Sequence, residues 1–270
     1  MLGDNSTFIH YGKWDGIDLD QPGAYGMASE AMTDYMYRLS LGLLTHRAEK
    51  SDFTYVDLGS GTGASAIHLS ERHSLTISKA TCINLCHDQN IIALERAAER
   101  NLSDIIEIVE SSFDETPCES NHYDIAFSQD AFIHAVSKEK AYKEAYRITK
   151  PGGAFVFCDL VCGDNPDLTV QELAQFAEKN RINDWLNPSQ TIKMCQLSGW
   201  SDVKFVDLST DLRISFQLML RKVEKILEAG NPDNIDEKLL VGYKNNLANR
   251  ITQVDRGVFK WGVVHAKKAD

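Results

Sequence analysis

A chain of 270 residues, 43% of them hydrophobic, can bury a sizeable core, as one large α/β domain or as a core domain with an appended cap. Its formal charge of −11 argues against nonspecific binding to nucleic acid or to an anionic membrane, because both need a basic surface, and favours a small or neutral substrate. Residues 1–14 lack a basic n-region and an apolar h-region, no apolar run is long enough to span a membrane, and the six cysteines (Cys82, Cys86, Cys118, Cys158, Cys162, Cys195) form neither a Cys-x-x-Cys pair nor a zinc-spaced cluster. The expectation is a cytoplasmic protein with reduced core thiols, no metal and no membrane association, its oligomeric state open to a homodimer.

The elements run as follows. Phe8-Ile9-His10-Tyr11-Gly12-Lys13-Trp14 is too aromatic and glycine-punctuated for a disordered tail; it folds over a ligand or packs on the core, and with a following helix makes residues 1–50 an N-terminal lid and helix. Phe53 to Leu58 read as a buried strand and Ala64 to Arg72 as a helix. Ala80 to Leu85 (strand), His87 to Leu102 (helix), Ile105 to Glu110 and Tyr123 to Ser128 (strands), Lys138 to Thr149 (helix, stopped by Lys150-Pro151-Gly152-Gly153) and Ala154 to Leu160 (strand) continue the alternation. That rhythm predicts an α/β fold with a Rossmann-like, mostly parallel sheet flanked by helices, its core at 51–161. It breaks at 162–188, which contain a polar turn, an amphipathic helix from Val170 to Lys179 and Trp185, and read as an inserted helical cap. Residues 189–270 then complete the sheet, with helices at Ser189 to Gly199, Leu212 to Gly230 and Asp236 to Val254 (an additional helical insertion at about 210–254) and strands at Val203 to Leu208 and Gly257 to Lys267.

Val56-Asp57-Leu58-Gly59-Ser60-Gly61-Thr62-Gly63 sets a carboxylate at the end of a strand directly before a glycine-rich turn. Gly59, Gly61 and Ala64 also satisfy the dinucleotide pattern G-x-G-x-x-G/A, a weak signal on its own. Asp57 discriminates. A pyrophosphate at a helix amino terminus wants no anion nearby, whereas S-adenosylmethionine brings an ammonium and a sulfonium and no phosphate. The carboxylate therefore favours S-adenosylmethionine over a nicotinamide dinucleotide.

At the second strand end, Asn84 stands where nucleotide-binding folds offer an acid to the ribose hydroxyls; an amide can both donate and accept there, and Gln89 assists from the next turn or is an exposed helix residue. After the third strand, Ser112 can read an adenine edge while Phe113 gives an apolar face, unless the pair is only a polar turn. Ser128-Gln129-Asp130-Ala131-Phe132-Ile133-His134 lie at the carboxyl end of the fourth strand, where open α/β sheets hold ligands; His134 is placed to act as general base or as a donor to substrate.

With these residues in hand, the chain resembles the class I, seven-stranded methyltransferases that use S-adenosylmethionine, on VDLGSGTG, SSFDETP, YDIAFSQDAFIH and ITKPGGAFVFCD. It is further similar to the small-molecule N-methyltransferases that convert sarcosine and dimethylglycine to glycine betaine, on SQDAFIH, the run from Pro117 to Asp124, Ile9-His10-Tyr11-Gly12 and Trp261-Gly262. The resemblance implies that Asp57, Gly59 and Gly61 line the methionine part of the cofactor, Asn84 the ribose, Ser112 and Phe113 the adenine, Ser128 and Gln129 its amino-acid end, and that His134 serves the acceptor side. Serine and asparagine stand where the wider superfamily often has acids, and the cap matches poorly.

Methyl transfer from a sulfonium is an in-line displacement that rests mainly on positioning. An alkylamine acceptor must also lose a proton, to His134 or to water. A quaternary ammonium product suits aromatic faces, for which Tyr11, Trp14, Phe132 and Trp185 are candidates, and an acceptor carboxylate suits an arginine, Arg181 or Arg213. The rival activities are S-methylation of a thioether acid and C- or O-methylation of another metabolite; the non-enzymatic rival is a cofactor-binding module without catalysis. The Asp, Asn, Glu and Gln content of residues 162–188 counts against a prenyl acceptor.

Overall fold

The computed structural model describes residues 8, 10–45, 52–73, 76–230 and 235–270. In chain order it contains α1 (Ala24–Leu43), β1 (Phe53–Leu58), α2 (Ala64–Arg72), β2 (Ile77–Asn84), α3 (His87–Glu99), β3 (Ile106–Glu110), β4 (Tyr123–Gln129), a 3₁₀ turn (Phe132–His134), α4 (Lys138–Ile148), β5 (Thr149–Cys162), α5 (Val170–Asn180), α6 (Pro188–Leu197), β6 (Ser201–Asp207), α7 (Ser209–Glu228), α8 (Glu237–Asp255) and β7 (Phe259–Lys267). The strands form one sheet in the order β3-β2-β1-β4-β5-β7-β6. All neighbours are parallel except β7, which runs antiparallel to both β5 and β6. No helix among the described residues is long and apolar enough to cross a membrane.

The period of two along the central strands builds the core. Tyr55, Ile125, Phe127, Val156, Cys158 and Val263 join one buried cluster, with Met32, Met36 and Tyr37 of α1, Phe176 of α5 and Leu212 and Phe216 of α7. Their chain neighbours Val56, Ala126, Phe155, Phe157 and Val264 join another, with Ala141, Tyr142 and Ala145 of α4 and Cys195 of α6. A sheet buried on both faces needs strands that are apolar throughout, and β4 is buried at every position.

Local chemistry sets the helix ends. Thr169 with Glu172, and Asn187 with Gln190, form reciprocal capping boxes on α5 and α6, and Pro188 opens α6 where a missing N–H costs nothing. β5 starts earlier than the expected Ala154: Thr149 pairs with Tyr123, while Gly152 N donates to Lys268 O and Lys268 N to Gly153 O, so the proline-glycine segment is held by the closing strand. The expected cap at 162–188 holds α5, and the expected insertion at about 210–254 holds α7 and α8, which pack on each other. Between β1 and β4 the strand order reverses, which opens a crevice beyond the carboxyl ends of these strands.

Candidate active site

Two cavities meet at that crevice. The larger, about 420 Å³, is lined by His10 and Tyr11, by the Gly59–Thr62 turn and Ala64, by Asn84, Leu85, Cys86 and Gln89, by Phe113, and by Gln129, Asp130, Ala131 and His134. The smaller, about 200 Å³, is lined by Tyr11, Asp130, Ile133, His134, Asp159, Leu160, Phe176, Asn180, Ile182 and Arg250. Tyr11, Asp130 and His134 belong to both walls, so the two spaces adjoin at these three side chains.

The glycine turn shapes the larger cavity. Gly59 has φ of 84°, a left-handed conformation costly for any other residue, and a Cβ there would lie 2.4 Å from the Cβ of Ala131. Gly59 N and Ser60 N both donate to Ile83 O, which ties the turn to β2. Asp57 lies beneath the turn, 2% exposed and outside the lining set, and burial pushes its carboxyl up to about 7.

Gln129 has a fixed orientation. Its Oε1 accepts from Thr33 Oγ1 of α1 (3.0 Å) and from Ser65 Oγ of α2, and its buried Nε2 has no partner among the described residues. Ser60 Oγ is buried and unpartnered as well. Asn84 donates through Nδ2 to Cys86 O, Gln89 Oε1 and Asn90 Oδ1, leaving its amide oxygen as the group to accept from a hydroxyl. Among the described lining residues there is no lysine or arginine to meet a pyrophosphate. Spare amide and hydroxyl donors, an acceptor for hydroxyls and the apolar faces of Leu85, Phe113 and Ala131 fit an adenosine that carries an amino acid instead of phosphates.

Several side chains singled out from the sequence stand elsewhere. Ser128 is fully buried on the opposite side of β4 from Gln129, its Oγ donating to Leu58 O at 2.6 Å, because consecutive strand residues face opposite ways. Ser112 is outside the lining set, with its Oγ capping Asp114 N, whereas Phe113 lines the cavity. Trp14 is an anchor: its N–H donates to Asp211 Oδ1, its Nε1 to Ser215 Oγ, and its ring packs edge-on against Tyr25. Phe132 is fully buried among Phe113, Tyr142 and Phe157. Trp185 stacks on Phe176, and it is Phe176 that lines the smaller cavity. Arg181 is exposed at the left-handed end of α5, and Arg213 forms a two-pronged pair with Asp255; neither lines a cavity. Tyr11 lies edge-on to Phe216 and Trp261, and His134 sits exposed at the junction of the two cavities. Ile9 lies outside the described residues.

The smaller cavity brings in groups that sequence reasoning passed over. Asp130, directly after β4, has φ of 52°, in the region a non-glycine residue adopts only at a cost. Its Oδ1 accepts from Trp261 Nε1 at 2.7 Å; its Oδ2 is buried without a hydrogen-bond partner among the described residues, with His10 Nδ1 3.8 Å away. Burial pushes the Asp130 carboxyl up to about 6 and holds His10 down at about 4. Asp159, near the end of β5, accepts from Leu160 N through Oδ1; its Oδ2 has no hydrogen-bond partner among the described residues but forms a long ion pair with Lys138 Nζ at 3.9 Å, and burial, opposed by Lys138 and reinforced by Asp130, pushes it up to about 7. Arg250 of α8 donates to Asn180 Oδ1 at 2.9 Å and to Asn246 Oδ1 at 3.0 Å, leaving other guanidinium donors for the cavity. A legible signal did exist for Arg250: it follows Leu247 by three positions and precedes Ile251 and Val254, so a cation interrupts the apolar stripe of its helix.

Comparison with known proteins follows this geometry. Residues 56–157 match the methyltransferase domain family. The sarcosine/dimethylglycine N-methyltransferase of Aphanothece halophytica is 27% identical over 261 residues, 96% of this chain and 92% of that protein. The glycine/sarcosine/dimethylglycine N-methyltransferase of Actinopolyspora halophila is 26% identical over 260 residues, 96% of this chain, which spans only 45% of that longer protein. Among solved structures, a candidate sarcosine dimethylglycine methyltransferase from Galdieria sulphuraria shares the fold, with a TM-score of 0.82 at 22% identity over 97% of this chain and 94% of that one.

Proposed function

We propose that this chain is a methyltransferase of the class that draws on S-adenosylmethionine and that its acceptor is the amine of sarcosine or dimethylglycine, with glycine betaine as the final product. The observation that carries the reading is the pair of adjoining cavities, the smaller one combining an arginine, buried carboxylates and aromatic side chains. Those groups complement a small amino acid, which carries a carboxylate and an ammonium a few bonds apart. A cavity of about 200 Å³ with three charged side chains suits such an acceptor better than a prenyl chain.

In this reading Gln129 Nε2 and Ser60 Oγ donate to the amino-acid end of S-adenosylmethionine, Asn84 and Gln89 serve the ribose, Phe113 and Leu85 flank the adenine, and the turn at Gly59 and Gly61 lets backbone approach closely. When bound, that molecule supplies a methyl group already activated by its sulfonium. The protein's remaining task is to orient and dehydrate the acceptor. Arg250 holds the acceptor carboxylate, Tyr11 offers its ring to a methylated nitrogen, Phe176, stacked on Trp185 and on Phe259, closes the wall with an apolar edge, and His134 closes the junction.

The test is methyl transfer from labelled S-adenosylmethionine to a panel of glycine, sarcosine, dimethylglycine, thioether acids and phosphoethanolamine. Turnover of sarcosine and dimethylglycine, with glycine betaine among the products, is expected. Turnover of a thioether acid with the amines inert would overturn the reading.

A further inference from the structure

We propose that Asp130 and Asp159 form the ammonium subsite of the acceptor cavity and that Asp130 Oδ2 takes the proton the amine must lose, a deepening that rests on the amine reading above. The geometry carries it. Both residues line the smaller cavity, and each presents one buried carboxylate oxygen without a hydrogen-bond partner among the described residues. In each, the other oxygen is held by a donor from the scaffold, Trp261 Nε1 for Asp130 and Leu160 N for Asp159. A buried carboxylate oxygen left open is costly unless a cation meets it; Asp159 Oδ2 already faces Lys138 Nζ at 3.9 Å, whereas Asp130 Oδ2 has beside it only the His10 ring, which burial keeps neutral. Asp130 alone of the two also lines the larger cavity, so its free oxygen stands where the transferable methyl and the amine must come together. His134 shares that junction but is exposed to solvent. The left-handed backbone at Asp130 is consistent with a residue held in place for function.

The step balances. The ammonium N–H bond breaks and its proton goes to Asp130 Oδ2, so carboxylate becomes carboxylic acid. The freed nitrogen lone pair forms the bond to the methyl carbon while the carbon–sulfur bond breaks and its electron pair stays on sulfur, leaving a neutral thioether. With dimethylglycine the product nitrogen is a permanent cation, which then lies against Asp159, while Asp130 returns its proton to water.

Groups facing Asp130 come from the elements around it: His10 and Tyr11 from the N-terminal segment, His134 from the 3₁₀ turn, Cys158 and Asp159 from β5, Trp261 from β7 and Arg250 from α8, while Lys138 of α4 faces Asp159. Glycine betaine is the useful probe because its own charge does not change with pH. Its affinity for the wild-type protein saturated with S-adenosylhomocysteine, measured calorimetrically between about pH 5 and 8, should rise on the order of 10-fold as the carboxyls at about 6 and about 7 ionise. The dependence should survive His134→Gln and shrink in Asp130→Asn, whose amide oxygen still accepts from Trp261. With dimethylglycine, Asp130→Asn should lower kcat about 100-fold or more, the span of general base catalysis, while S-adenosylhomocysteine affinity stays within about 3-fold of wild type. A pH-independent betaine affinity in the wild-type protein overturns the subsite, and an Asp130→Asn kcat within about 3-fold of wild type overturns the proton transfer, both leaving the amine reading intact. If no amino acid amine turns over in the wild-type protein, the amine reading itself falls and this inference with it. Should Asp130→Asn fail to fold, the wild-type betaine titration still decides the subsite, and a His134→Gln kcat about 100-fold or more below wild type would move the proton transfer to His134 and overturn it.

Discussion

The Trp261 to Asp130 hydrogen bond is open to a sharp test with Trp261→Phe, which removes the indole N–H and keeps an aromatic ring. The 2.7 Å bond ties a fully buried ring to a carboxyl whose side chain is 18% exposed, so solvent screens it little. A hydrogen bond to an ionised group contributes about 1.5–3 kcal/mol, one between neutral groups about 0.5–1.5. Asp130 titrates at about 6, so near pH 5 the bond is largely neutral and near pH 8 it is charge-assisted. Trimming the ring costs a further 1–2 kcal/mol or so at either pH. The expected loss is therefore about 2–3 kcal/mol near pH 5 and about 1–1.5 kcal/mol more near pH 8. For a chain of this size the extra term is roughly 2–6 °C in Tm, and it corresponds to raising the Asp130 carboxyl by about one further unit. Differential scanning calorimetry of both proteins at the two pH values reads it directly, with Asp130→Asn as the background in which the pH-dependent part should vanish. An equal loss at both pH values, or a larger one near pH 5, would refute the reasoning.

Arg250→Leu should raise KM for dimethylglycine on the order of 100-fold with S-adenosylhomocysteine affinity unchanged, and Arg181→Ala should leave both near wild type; steady-state kinetics and calorimetry separate the two. Gly59→Ala places a methyl 2.4 Å from the Ala131 Cβ on a left-handed backbone, so cofactor affinity should drop by an order of magnitude or more, and near-normal binding by calorimetry would count against the tight turn. Asp57, Asp130 and Asp159 are all held above the ordinary aspartate value, at about 7, 6 and 7. Between about pH 4 and pH 7 the folded protein thus binds more protons than the unfolded chain, and the sign of the linkage makes these groups favour folding less as pH rises. The urea midpoint of the ligand-free protein should accordingly be higher near pH 5 than near pH 8, and Asp57→Asn should reduce that difference; a higher midpoint at pH 8 would contradict the assignment.

The alternation of strands and helices was legible because it is written in apolar periodicity, and Asp57, Asn84 and Gln129 fall within one residue of the strand ends that periodicity marks, whereas β5 runs on past Asp159 to Cys162. The larger cavity was legible in the same way, since Gly59, Gly61, Asn84, Gln89, Phe113, Gln129 and His134 lie within a few residues of a strand end and line it together. Ser128 was misjudged because proximity in sequence outweighed the period of two that turns it away from Gln129. The smaller cavity resisted for a different reason: Arg250, Asn180 and Phe176 lie on helices whose docking is set by tertiary packing, so which aromatic or cation reaches inward cannot be read from spacing between segments. Trp14, Trp185 and Phe132 had the right chemistry for a cation and the wrong neighbours.

The place of β7 between β5 and β6 also governs how the molecule can assemble. β6 precedes β7 in the chain yet has no strand partner until β7 itself is in place, and Asp130 waits across 131 residues for the indole that orients it. The earlier strands can pair as they emerge, whereas the sheet's far edge and the smaller cavity must form together in a late, long-range step. Refolding followed by S-adenosylhomocysteine binding or by intrinsic tryptophan emission should then divide in time: the parallel half of the sheet forms first, and the smaller cavity closes only with the last strand.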